Sequence, residues 1–131
     1  MSQSMPENAL DLFQKPLLAH LATVMPDGTP QVTPVWVDFD GTYILVNTSR
    51  GRRKELNMQE RPQVGLDIVD PASPFHWLSV RGKIAEITEE GALEHINRLS
   101  KKYTGNPTYQ NLQPGEVRVI CKIIPERIIA R

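Results

Sequence analysis

The run Asn47-Thr48-Ser49-Arg50-Gly51-Arg52-Arg53-Lys54-Glu55 crowds four cationic side chains into the expected first turn of a helix, just after a strand. A helix N-terminus already exposes unpaired N–H groups and the positive pole of the macrodipole, so acidic residues are favoured there. Cations at that point cost stability unless an anion neutralises them. A phosphate held by helix N–H groups and basic side chains is the usual resolution. The chain supplies its own control: Thr88-Glu89-Glu90 opens a second expected helix with a capping hydroxyl and two carboxylates, and Lys101-Lys102 close it. That is the ordinary electrostatic order. A charge run also fits a solvated basic face, but the position of this one favours an anion site.

Other chemistry is thinly represented. His20, His76 and His95 are far apart and lack metal-ligand spacing, so no metal is expected. His20 reads as a hydrogen-bonded structural residue in an apolar strand, and His95 as an exposed helix residue between Glu94 and Ile96. No Gly-x-Ser-x-Gly elbow, Cys–His pairing or glycine-rich phosphate loop is present, and no catalytic residue is assigned. Such an inventory fits a protein whose bound cofactor carries the reaction. It fits a binding module with no chemistry equally well.

The elements that must position the cluster read as mainly β. Pro6 to Lys15 forms a short helix with Leu10 and Phe13 inward, after a loose tail at residues 1–5, and Pro16 stops it. Strands follow at Leu17–Met25, Gln31–Phe39 and Thr42–Asn47, joined by turns at Pro26-Asp27-Gly28-Thr29 and Asp40-Gly41. The basic helix runs from about Arg50 to Glu60, ended by Pro62. Two more strands, Gln63–Val69 and His76–Ile87, flank a rigid loop at Asp70–Pro74, and Gly82 marks a bulge. The Thr88–Lys102 helix is expected to bury Leu93, Ile96 and Leu99. Tyr103 to Gly115 is an irregular excursion, and Glu116–Ala130 is a last strand interrupted by Pro125. Six β runs with few, short helices favour a compact antiparallel barrel.

Composition narrows the partners. The 131 residues make one domain, and fifteen basic against fifteen acidic side chains argue against nucleic-acid binding. The cluster therefore reads as a site for a small anion. Cys121 stands alone in Val119–Ile123, a small apolar filler with no disulfide partner. No apolar run reaches the length of a membrane span and no signal-peptide core is seen, so a cytoplasmic protein is expected, with no membrane association.

One ordered series carries a resemblance. Leu21-Ala22-Thr23-Val24, Asp27-Gly28-Thr29-Pro30-Gln31-Val32-Thr33-Pro34-Val35-Trp36, Asp40-Gly41, Val46-Asn47-Thr48, Arg52-x-Lys54, Asn57, Arg61-Pro62-Gln63-Val64 and Arg81-Gly82 follow one another in this order. Together, over about residues 8–131, they resemble the split β-barrel flavin and deazaflavin oxidoreductases, the superfamily of pyridoxamine 5′-phosphate oxidase. The Thr-Pro-Val-Trp and Arg-x-Lys forms are most similar to the branch that uses coenzyme F420, a 5-deazaflavin.

The resemblance implies a homodimer of six-stranded split barrels with cofactor sites at the subunit interface. Thr33, Pro34, Val35 and Trp36 would lie beside the ring of coenzyme F420, or of FMN as the alternative. Asn47, Thr48, Arg52 and Lys54 would hold its phosphate, with Arg53 a further candidate, and Phe75 and Trp77 of a partner would complete the wall. The implied activity is hydride transfer between the reduced deazaflavin and an unsaturated small-molecule acceptor. An FMN oxidase or reductase, or a non-catalytic flavin, deazaflavin or tetrapyrrole binder, stands as the alternative. Trp36 and Trp77 also fit plain packing roles. Lys101, Lys102 and Tyr103 fit either a cofactor tail contact or simple complements to the helix C-terminus. Two departures count against a vitamin B6 oxidase: Val37 stands where those oxidases place a phosphate-binding lysine, and the sequence ends at Arg131 without their C-terminal recognition tail.

Overall fold

Burial alternates residue by residue along Gln63–Asp70, with Val64, Leu66, Ile68 and Asp70 inside, as expected of a strand with one face on a core. The structure, a computed structural model, describes residues 2–131. After a 3-10 turn at Glu7–Ala9, its elements are α1 (Leu10–Gln14), β1 (Ala19–Val24), β2 (Pro30–Val35), β3 (Asp38–Phe39), β4 (Ile44–Ser49) and α2 (Arg53–Glu60). They continue as β5 (Gln63–Asp70), β6 (Ser73–Thr88), α3 (Ala92–Thr104) and β7 (Arg118–Ala130).

All strands join one antiparallel sheet in the order β2-β1-β5-β6-β7-β4-β3. Its two edges, β2 and β3, are neighbours in the chain. Only Trp36 and Val37 separate them, so the edges can lie no more than about 11 Å apart where the chain crosses. The sheet must therefore curl nearly shut and stay split at that seam. Leu12, Leu21, Ile44, Val46, Met58, Ile68, Leu78 and Ile123 fill the interior, with Cys121 buried among them.

The mainly β class and split-barrel form agree with the sequence reading, but the strand count is seven. The expected Gln31–Phe39 strand is two strands. The Val37 N–H donates to the Tyr103 hydroxyl at 3.1 Å and its carbonyl accepts from Lys102 Nζ at 2.6 Å, which takes both groups off the ladder. Lys102 also reaches the Phe13 carbonyl (2.7 Å) and Tyr103 the Leu17 carbonyl (2.6 Å). These two side chains thus brace the seam from within.

Other boundaries moved for identifiable reasons. Asp70–Pro74 is a tight hairpin: β5 ends at Asp70, β6 begins at Ser73, and the Asp70 carboxylate accepts the Ala72 N–H at 3.0 Å. β6 runs on to Thr88, so α3 starts only at Ala92, after Gly91 in the left-handed region at φ 73°. That phase buries Ala92, His95, Ile96 and Leu99, spaced as one helix face. Leu93, expected inside, is 54% exposed, and His95, expected outside, is fully buried.

Residues 2–5 are no loose tail. Gln3 donates its N–H to the Pro125 carbonyl (2.9 Å) and accepts the Ile128 N–H (2.7 Å), while Met5 packs on the core. Met1 lies outside the described residues. Gly82 sits at a register shift between β6 and β7, as its sequence position suggested.

Candidate functional site

The cationic run resolves into side chains with different fates. The helix begins at Arg53, with Arg52 as the N-cap in extended conformation and no side-chain cap. Gly51 turns the chain at φ 89°, and its N–H donates to Glu55 Oε1 at 2.9 Å, a capping arrangement that buries Glu55 completely. Arg50 turns onto that carboxylate (3.2 Å) and onto Glu89 (3.3 Å). Arg53 leans along the helix to Asn57 Oδ1 at 3.4 Å. Arg52 and Lys54 are left facing a cleft.

That cleft, about 270 Å³, opens at the split between the sheet edges. Pro34, Val35 and Trp36 line one side, and Asn47, Thr48, Arg52, Lys54 and Arg118 the other. Tyr109 and Asn111, from the irregular excursion after α3, form a third wall. Trp36 stacks on Tyr103 (centroids 5.1 Å apart, 11° between planes) and meets Tyr109 edge-on at 6.1 Å.

Seven of the sequence-derived candidates therefore meet at one place: Pro34, Val35, Trp36, Asn47, Thr48, Arg52 and Lys54. Four do not. Thr33 and Arg53 lie off the cleft lining, and so do Phe75 and Trp77 near the start of β6. Phe75 is 90% exposed, and the Trp77 ring carries the Arg131 guanidinium at 5.7 Å.

Two features of the cleft ask for an anion. Lys54 is half-buried and makes no ion pair among the described residues. Burial, then the neighbouring Arg52 charge, and also that of Arg118, hold its pKa below the usual lysine value. The Thr48 hydroxyl, on a side chain only 2% exposed, has no hydrogen-bond partner among the described residues. A buried, unsatisfied hydroxyl in the same cleft as an uncompensated cation is costly in isolation, and a phosphate would offer acceptors to both. The residues present fit the phosphate of a bound cofactor.

Asn47 lines the cleft, but its amide is engaged by the protein. Its Nδ2 donates to the Ala92 carbonyl (2.9 Å) and to His95 Nδ1 (3.1 Å), and its Oδ1 accepts from Arg118 Nε (2.9 Å). With Nδ1 accepting, His95 carries its proton on Nε2, which faces Asp38 Oδ2 at 3.3 Å. His20 is an exposed partner of Asp67, at 2.7 Å.

Arg118 is the charged cleft residue that sequence reasoning missed. It sits at the first position of β7, 6% exposed, with Glu116 two residues before it. A charge pair at i and i+2 entering a strand puts both groups on one face, and this was the available signal.

The family described as pyridoxamine 5′-phosphate oxidase matches residues 5–130. Among solved structures, one described as an F420 reductase is similar at 31% identity and TM-score 0.84, covering 97% of this chain and 100% of that one. A conserved hypothetical protein from Mycobacterium tuberculosis is similar at 26% identity and TM-score 0.70, over 95% of this chain and 82% of its own. The haem storage protein HutZ from Vibrio cholerae shares the fold, at 18% identity and TM-score 0.69, over 98% and 95% of the two chains. No curated protein sequence matches the chain.

Proposed function

Because this chain belongs to the pyridoxamine 5′-phosphate oxidase family, we propose that it is an oxidoreductase that binds coenzyme F420 and serves hydride transfer between the reduced deazaflavin and an unsaturated organic acceptor. The observation that carries this reading is the pairing, in one cleft, of an uncompensated Lys54 ammonium with the unsatisfied Thr48 hydroxyl. The preference for a deazaflavin over FMN rests on the whole-chain likeness to a structure described as an F420 reductase. Bound there, the cofactor would supply the hydride. The protein's own groups hold and orient it: Arg52 and Lys54 on the phosphate, Thr48 donating to a phosphoryl oxygen, and the Pro34–Trp36 segment beside the ring.

A cleft of about 270 Å³ is smaller than the ~300–1,000 Å³ usual for a cofactor site. That size supports completion of the site by a second copy of the chain, which would present Phe75 and Trp77 in a homodimer. Phe75 at 90% exposure is an expensive side chain to leave in water.

The test is a side-by-side fluorescence titration with coenzyme F420 and with FMN. Arg52→Ala combined with Lys54→Ala should weaken the preferred cofactor by roughly 2–4 kcal/mol if two charge-assisted contacts are lost. Unchanged affinity would overturn the phosphate assignment. Tight binding with no turnover across enones, quinones and bilins would instead make the protein a carrier, a reading that the fold shared with a haem storage protein keeps open.

A further inference from the structure

One group beside the cleft has the wrong charge for its surroundings. Glu116, its side chain 8% exposed, stands with its carboxylate among the cations of a site that is to hold an anion. Its Oε2 accepts from Arg118 Nη1 at 2.8 Å and from the Ser49 hydroxyl, and Arg52 Nη2 lies 3.8 Å away. Its Oε1 accepts the Gln113 N–H at 2.9 Å, and its own N–H donates back to the Gln113 carbonyl at 3.1 Å. Both oxygens are thus committed to protein donors. Although burial pushes the other way, the hydrogen bonds from Ser49, Gln113 and Arg118 hold this carboxyl down at about 2.

The partners it holds are the ones that shape the cleft. Arg118 Nε donates to Asn47 Oδ1 (2.9 Å) and Nη1 to the Ser49 hydroxyl (3.0 Å) as well as to Glu116, while Nη2 has no protein acceptor among the described residues. The Arg118 guanidinium lies 5.1 Å from the Tyr109 ring centroid, and Tyr109 meets Trp36. Glu116 therefore grips both ends of the aromatic wall: the loop through Gln113, and the guanidinium on which Tyr109 rests. Without its carboxylate, two guanidinium groups and one ammonium would repel one another in a half-buried space.

We infer that Glu116 is a positioning residue for the anion cleft, and that through it Arg118 becomes a third cation presented to the cofactor phosphate. Simple Coulomb reasoning says that a carboxylate beside an anion site opposes binding, so removing it should tighten the complex. The geometry points the other way. Glu116 fixes where Arg118, Arg52 and the Tyr109 wall stand, and loss of that fixation outweighs the gain in net positive charge.

This inference rests on the reading of the cleft as a phosphate site. Wild type, Glu116→Gln, Glu116→Asp and Arg118→Lys are titrated by intrinsic tryptophan fluorescence with FMN against riboflavin. Coenzyme F420 is titrated likewise against its phosphate-free deazaflavin chromophore. Thermal melts report folding. Glu116→Gln should lose about tenfold or more in affinity for the phosphorylated form and under about twofold for the phosphate-free one. Glu116→Asp should recover part of the loss, and Arg118→Lys should follow Glu116→Gln. Equal or tighter binding of the phosphorylated form by folded Glu116→Gln overturns the proposal. If wild type binds none of these cofactors, the cofactor reading fails, and inorganic phosphate becomes the probe. Weaker phosphate binding by Glu116→Gln then still supports the positioning role, whereas equal binding, or none by wild type, overturns it.

Discussion

Thr48→Val separates the cost of the site from its use. The hydroxyl lies in β4, 2% exposed and without a partner among the described residues, while the rest of the side chain packs in a fully formed sheet. Valine keeps the shape and removes the polar atom. An unsatisfied buried hydroxyl costs about 1–3 kcal/mol, and the lower figure is taken for Thr48. The cofactor-free variant should therefore be more stable by about 1 kcal/mol. For a chain of this size that raises the melting temperature by about 3–5 °C. The same change deletes a donor to a phosphoryl oxygen, worth about 1.5 kcal/mol or roughly tenfold in Kd.

The assay is a pair of melting curves, without and with saturating cofactor, beside a fluorescence titration. The variant's curve should start higher and move less on adding cofactor. Thr48→Ser is the mirror control: it keeps the hydroxyl and loses a buried methyl, so it should melt lower by about 1 kcal/mol yet bind as wild type does. A cofactor-free Thr48→Val protein that melts below wild type would refute the orphaned-hydroxyl argument. Undiminished cofactor affinity in that variant would remove Thr48 from the site.

Two further outcomes test the scaffold. Gly82→Ala should destabilise by about 1–3 kcal/mol in urea titration, through overpacking. An added Cβ would lie 2.5 Å from the Ile124 carbonyl oxygen, which belongs to the backbone of β7. His76 joins three pieces, with Nδ1 at 2.6 Å from the Arg131 carbonyl and Nε2 at 2.9 Å from Asp11. The Arg131 carbonyl first, then Asp11, raise its pKa above 6.5. Its stabilising contribution is therefore complete below about pH 6.5 and is lost as pH rises through the raised folded value. The wild-type melting temperature should fall more than that of His76→Gln between about pH 6 and pH 9, and parallel profiles would rule the contribution out.

The cationic cleft was legible because part of it broke a local rule: cations stood where a helix start wants carboxylates. How the run divides was legible through the resemblance, which named Arg52 and Lys54 and left Arg50 out; the physical reason was not, because it depends on partners that sequence does not place. Arg50 is neutralised by Glu55, five residues on, and by Glu89, 39 residues on. The burial of His95 depended on helix phase, which was set by Gly91 at φ 73° after a strand that ran longer than its composition suggested. Arg118 read as an ordinary strand residue because its burial is made acceptable by Asn47, Ser49 and Glu116, two of them about seventy positions away.

The seam explains why the site lies where it does. A sheet whose first and last strands are separated by two residues has to bring its edges together, yet Trp36 and Val37 cannot pair across the gap. Unpaired edge groups must be satisfied elsewhere. At Val37 the protein uses α3 for this, through Lys102 and Tyr103, and so holds the edges apart at a fixed width. The result is a slot whose one wall is the backbone of an interrupted strand and whose other wall is the cationic end of β4 and the start of α2. The proposed cofactor would suit both walls at once, with the ring against the strand and the phosphate against the cations. Val37, where the vitamin B6 oxidases place a basic residue, has its backbone committed to bracing the seam and its side chain fully buried in the core. The cationic charge that lines the cleft comes from the opposite wall, where Arg52, Lys54 and Arg118 stand.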